Sequence, residues 1–182
     1  FLILFPYLPK KLYFCTMIKP KTILLTLLFA VISANAGADA YTIYPVPHEQ
    51  KMEKGTASFA AQVSIIAERG IDEYTVQRAK SILEERGLKV NIGLRPQKGT
   101  SVVYLGVNGS GGRADRMAKR MGLRRDVFEF QKYDRHVLHL TAVRCVARVV
   151  VLGENTDAVF CGLATLEQML DQGTKKLPCA TF

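Results

Sequence analysis

Tryptophan is absent from the chain, histidine occurs three times and cysteine four times. Cys15, Cys145, Cys161 and Cys179 form no Cys-x-x-Cys pair, so neither a zinc ribbon nor a disulfide framework follows from their spacing. The last three read instead as small, partly buried thiols. His136 and His139 have the spacing of a metal pair, but residues three apart in a strand point to opposite faces. A shared ion is therefore not expected, and His48 stands alone in a Pro-flanked turn. No apolar run reaches the roughly 20 residues needed to cross a bilayer, and no repeat or low-complexity linker interrupts the chain.

What is present suffices for one compact domain: 182 residues, 48% of them hydrophobic, with mean hydropathy +0.09. The apolar material is concentrated at the start. From Met17 the chain reads Met-Ile-Lys-Pro-Lys, then an apolar block from Thr22 to Ile32, then Ser33-Ala34-Asn35-Ala36-Gly37. A short basic segment, an apolar core and an Ala-x-Ala ending are the parts of a Sec signal peptide cleaved after Ala36. Residues 1–16 precede it with no patterning, as translation begun too far upstream or a lengthened basic region would give. Residues 37–182 are then the mature, exported domain, with no stable membrane span once the leader is gone. Losing Lys10, Lys11, Lys19 and Lys21 takes four units from the formal charge of +9, and the mild excess that remains says little about partners.

Along the mature part, Tyr41 to Pro47 alternates and ends in proline, which predicts an edge strand. Ser58 to Ala67 reads as a second strand. Asp72 sits where a helix N-cap belongs, Val76, Ala79, Ile82 and Leu83 fall at helical spacing, and Gly87 closes the segment. Leu88 to Ile92 alternates as a short strand, and Val102 to Leu105 is continuously apolar, as in a strand covered on both faces. Ala114, Met117, Ala118 and Met121 line the next helix, which Gly122 ends. Val137 to Thr141 and Val146 to Leu152 predict a hairpin around Arg144-Cys145. A last helix begins at Asn155 or Thr156 and should bury Val159, Phe160, Leu163, Leu166 and Leu170. Strands interleaved with three helices give an α/β (α+β) domain, a mixed sheet with helices packed on it.

Few residues suggest chemistry. The stretch Gly106-Val107-Asn108-Gly109-Ser110-Gly111-Gly112 lies where a phosphate cradle would, between strand and helix, but it lacks the Lys-Ser/Thr of a P-loop and the spacing of a dinucleotide fingerprint. A flexible connection accounts for it better than an anion site aided by Arg113. Arg113, Arg116, Lys119, Arg120, Arg124 and Arg125 lie opposite the apolar stripe of their helix, as a solvated face would. With no aromatic stacking partners on that helix, and an export signal ahead of it, nucleic acid is not an expected partner. Hydrolysis of a glycosidic bond calls for two carboxylates across a cleft. Every acid of the mature part has a ready surface explanation: Asp72 reads as a cap, and Glu84, Glu85, Asp157 and Glu167 as helix exterior. No catalytic, metal-binding or cofactor-binding residue is assigned.

Two stretches carry a resemblance. Tyr41-Thr42-Ile43-Tyr44-Pro45-Val46-Pro47-His48 resembles the opening of the N-terminal domain of bacterial β-N-acetylhexosaminidases. Val149 to Leu170, with Gly153-Glu154-Asn155-Thr156-Asp157 at its turn, is similar to the closing strand and helix of that domain. The likeness spans nearly all of residues 40–176 and points to glycoside hydrolase family 84, the hyaluronoglucosaminidase and O-GlcNAcase-like enzymes of Bacteroides type, with a chitobiase-like N-terminal domain. The resemblance implies an exported glycan-degrading enzyme in which a (β/α)8 barrel follows this domain and removes β-linked N-acetylglucosamine. Two adjacent barrel aspartates serve the reaction in that family. This sequence has no Asp-Asp dipeptide, so no catalytic residue is carried over, and the chain is expected to stop before the barrel. The other readings are a free-standing exported carbohydrate-binding or interaction module and an exported binder of anionic polymers. Independently of the family, Gly162 should let the last helix approach the sheet closely.

Overall fold

The computed structural model describes residues 41–123, Phe128 and 135–182. The proposed leader, residues 1–16, and Arg124 and Arg125 of the basic cluster lie outside the described residues. Seven strands form one mixed sheet: β1 (Lys51–Ala57), β2 (Gln62–Ala67), β3 (Lys89–Ile92), β4 (Ser101–Val107), β5 (His136–Val143), β6 (Val146–Gly153) and β7 (Leu177–Thr181). Three helices pack on it: α1 (Glu73–Glu84), α2 (Arg113–Arg120) and α3 (Thr156–Asp171). Across the sheet the order is β1-β7-β5-β6-β4-β2-β3. The β3, β2, β4 and β6 strands pair in parallel, while β5 joins β6, and β7 joins β5 and β1, antiparallel.

The two faces are covered unequally, and the sequence shows why. In β4, Val103 and Leu105 join the larger core with Val63, Ile65, Leu138, Val149, Val151 and the buried sides of α1 and α3. Its alternate residues Val102 and Tyr104 join a smaller core with Ile66, Val150, Leu152, Ala114 and Ala118 under α2. That is the strand covered on both faces predicted from its unbroken apolar run. Each fully buried Val or Leu of this kind is worth about 1.5–3 kcal/mol of transfer free energy.

Local signals set the element ends. The Asp72 side chain accepts from the Thr75 amide at 2.6 Å and starts α1. Those bonds to the Thr75 backbone and side chain, with Thr156 behind them, hold its carboxyl below the usual range. The Asn155 side chain caps α3 by accepting from Ala158 N at 2.8 Å. Arg144 and Cys145 both have positive φ, 53° and 66°, and make the two-residue turn between paired Val143 and Val146, the predicted hairpin.

Four expectations need correction. Cys145 and Cys161 are exposed, and only Cys179 is buried, where all three read as partly buried thiols. Tyr41 to Pro47 is not a strand. Its backbone is held by two glutamine side chains, one in the last turn of α3 and one at its C-cap: Gln168 exchanges hydrogen bonds with Tyr44 N and O, both at 2.7 Å, and Gln172 with Thr42 N and O at 3.2 and 3.0 Å. Four residues of helix rise about 6 Å and two residues of extended chain about 6.7 Å, so two amides one turn apart imitate a neighbouring strand. The edge strand is instead β1, whose Lys-Met-Glu-Lys-Gly-Thr-Ala sequence has no strand-like alternation. The second strand begins at Gln62, since Ser58 makes only an isolated bridge to Val146. Finally, Phe160 is half-buried on the outside of α3, where it stacks on exposed Tyr74 of α1 at 5.4 Å between ring centroids.

Candidate functional site

The most densely organised polar site lies at the glycine-rich loop between β4 and α2, and two acids that the sequence reading passed over build it. Glu68 directly follows β2 and is 8% exposed, while Asp115 lies in the first turn of α2 and is fully buried. One Glu68 oxygen accepts from Asp115 N at 2.8 Å and the other from Ser110 Oγ at 2.5 Å. The Asp115 carboxylate accepts from Gly109 N at 3.1 Å and Gly111 N at 3.0 Å, and Lys119 lies 3.7 Å away. Ser110 Oγ also accepts from Gly112 N. A Cβ on Gly106 or Gly112 would fall within 2.7 Å of the Glu68 carboxylate, so glycine is required there by close approach.

This arrangement replaces both sequence readings of the loop. It is no open connection, because two carboxylates and a hydroxyl collect its amides. It is no vacant anion site either, since the protein's own Glu68 takes the place at the start of α2 that a bound anion would take. As a hydrolytic pair the two acids are poorly suited. Their oxygens are already engaged by amides and a hydroxyl of the protein, which leaves them turned into the loop rather than toward a substrate.

The two histidines separate as strand geometry requires. The ring of His136 lies against Gly162 of α3. His139, 4% exposed, meets Thr181 Oγ1 of β7 at 2.8 Å, and that hydroxyl donates to Glu53 of β1 at 2.9 Å. Three strands are thus joined through one hydroxyl. Burial lowers the His139 pKa, with Glu53, 3.6 Å away, opposing the shift. Burial and Glu53 also push the nearby Cys179 thiol up, which keeps it protonated and unreactive. Among the described residues no group of three His, Cys, Asp or Glu could hold a metal.

The His139 shift carries a sign. The folded state prefers the neutral ring, so the unfolded chain binds the proton more readily. Stability is complete above the ordinary histidine pKa of about 6.5 and declines as pH falls from there toward the lower folded value. Denaturant midpoints between about pH 5 and 8 should fall on the acid side in the wild type, and the fall should shrink in His139→Gln. An identical slope in both would show that another group titrates.

Of the basic cluster, Arg116, Lys119 and Arg120 are exposed and Arg113 is half-buried, consistent with a solvated flank. Glu84, Glu85 and Asp157 are exposed, as expected. Glu167 is partly covered and bridges Arg78 at 2.5 Å, which ties α3 to α1. No described helix is long and apolar enough to cross a membrane.

The family described as glycosyl hydrolase family 20, domain 2, matches residues 40–182. Among solved structures, CpGH84D is similar with a TM-score of 0.70 and 27% identity, over 80% of this chain and 24% of that one. The chain therefore spans about a quarter of the length of this relative. A GH138 enzyme targeting pectin rhamnogalacturonan II gives a TM-score of 0.42 and 14% identity over 65% of this chain and 15% of its own, too slight a likeness to carry weight. No curated protein matches the chain. The mixed sheet, its three helices and the likeness to a family 84 enzyme agree with the resemblance read from the two sequence stretches: the chain belongs to the glycosyl hydrolase family 20, domain 2 family, as a hexosaminidase-type domain of a family 84-like enzyme.

Proposed function

We propose that residues 37–182 are the non-catalytic N-terminal domain of an exported β-N-acetylhexosaminidase or β-N-acetylglucosaminidase that degrades glycans. The observation that carries this reading is the match itself: a family 20 domain 2 covers residues 40–182, while the matched part makes up only 24% of the family 84 relative. Catalysis would then belong to a (β/α)8 barrel on further sequence, of about 250 residues, and N-acetylglucosamine-bearing glycan would be met there. The engagement of Glu68 and Asp115 by the loop supports a structural role for the acids of this domain. Export to the periplasm, cell surface or medium rests on residues 17–36, and nucleic acid is no partner in this reading.

Expression of the whole chain in a Gram-negative host tests both halves. The intact mass should correspond to a protein beginning at Gly37, and the purified protein should release no nitrophenol from aryl β-N-acetylglucosaminides. A species retaining Thr22 to Ile32 would defeat the export reading. Turnover that survives removal of host hexosaminidase would place an active site in this domain.

A further inference from the structure

The outer flank of α2 carries a feature that the glycine-rich loop does not use. Arg113, Arg116 and Arg120 recur at spacings of three and four, so their side chains leave one side of the helix. With Met117, and with Tyr104 of β4 beneath them, they line a cavity of about 250 Å³. Arg116 is anchored by donating to the Gly111 carbonyl. Arg113 and Arg120 have no hydrogen bond or ion pair among the described residues. Two described acids at the start of α2 are already engaged: Glu68 by Ser110 and Asp115 N, and Asp115 by Gly109, Gly111 and Lys119.

Three guanidiniums on one cavity, with no counter-charge paired to Arg113 or Arg120 among the described residues, create a positive potential that an external anion would complete. Guanidinium forks match the geometry of carboxylate, sulfate and phosphate groups better than ammonium groups do. Half-buried Met117, over the buried Tyr104, supplies the apolar part of the cavity lining.

We infer that the cavity between α2 and β4 binds an oxyanion substituent, sulfate or carboxylate, of an acidic glycan. Arg113 and Arg120 are the free forks, and Arg116 is held at the rim by Gly111. The anion site follows from the three arginines; the choice of a saccharide as its carrier rests on the glycan-degradation reading.

Calorimetric titration of the whole chain tests this with four probes: a sulfated heparin tetrasaccharide, an unsulfated N-acetylglucosamine tetrasaccharide, inorganic sulfate, and an oligonucleotide with the charge of the first. At low ionic strength the sulfated saccharide should bind best and the unsulfated one not at all. Arg113→Gln/Arg116→Gln/Arg120→Gln should weaken binding at least about tenfold, as charge-assisted contacts are lost. Arg120→Gln alone, at an exposed position, should weaken it in the same direction. The double variant Arg95→Gln/Lys98→Gln, on another surface, should leave it unchanged. Equal loss in that control, or no loss in the triple variant, would overturn the site. Sulfate binding that needs the arginines, with the oligonucleotide bound as tightly as the saccharide, would overturn the glycan assignment. None of these outcomes depends on hydrolase activity, so failure of the nitrophenol result would leave them interpretable.

Discussion

Replacing Glu68 with alanine is expected to lower the unfolding free energy by about 3 kcal/mol, the loss of two hydrogen bonds to a charged acceptor together with the space its side chain fills. Asp115 N and Ser110 Oγ would both lose their acceptor. The volume beside Gly106 and Gly112, where a Cβ would collide with the Glu68 carboxylate, would open. Glu68→Gln keeps the volume and one acceptor oxygen and should cost about 1 kcal/mol. Urea unfolding of the two variants beside wild type measures the difference. The double variant Glu68→Ala/Ser110→Ala should be less destabilised than the two single changes together, because the hydroxyl whose acceptor is lost is then absent as well. Equal, small effects of Ala and Gln would mean that the carboxylate does not hold the loop.

This pair of acids also shows where sequence reading reaches its limit. The helix caps, the hairpin turn and the doubly covered strand were legible because each depends on residues adjacent in the chain: Asp72 with Thr75, Asn155 with Ala158, Arg144 with Cys145. Glu68 and Asp115 are separated by 47 positions and meet only because β2 and β4 are sheet neighbours. A local clue existed in an acid at the third position of a helix that follows a glycine-rich loop, where carboxylates collect free amides. The glycines drew attention to an external phosphate instead. Strand β1 was hidden for a different reason. At a sheet edge only one neighbour is needed, so Lys, Glu, Gly and Thr are tolerated and the alternation that marks half-buried strands disappears. Tyr41 to Pro47 had that alternation without being a strand, because Tyr41 and Ile43 are buried while glutamine amides of α3 take the place of a partner strand. Periodicity reported burial correctly and pairing wrongly.

Gly162 gives the sharpest test of the expectation that it lets α3 approach the sheet closely. On intrinsic helix propensity alone, Gly162→Ala should stabilise α3 by about 1 kcal/mol. Packing opposes it, because the added Cβ would lie 2.7 Å from Val151 Cγ1 and 3.1 Å from the His136 ring. Both neighbours belong to the central strands β5 and β6, and Val151 is fully buried, so it cannot move without displacing the core. Overpacking of this kind costs about 1–3 kcal/mol, enough to reverse the sign of the propensity gain. Gly162→Ala should therefore be neutral to destabilising, and Gly162→Leu should cost about 3 kcal/mol or more as the helix is driven off the sheet. Val151→Ala removes the nearest contact. In that background Gly162→Ala should recover much of its helix gain, giving a coupling of about 1 kcal/mol in a double-mutant cycle. Stabilisation by Gly162→Ala in the wild-type background, with no coupling to Val151, would mean that α3 can lift from the sheet at little cost and that close approach does not require glycine at 162.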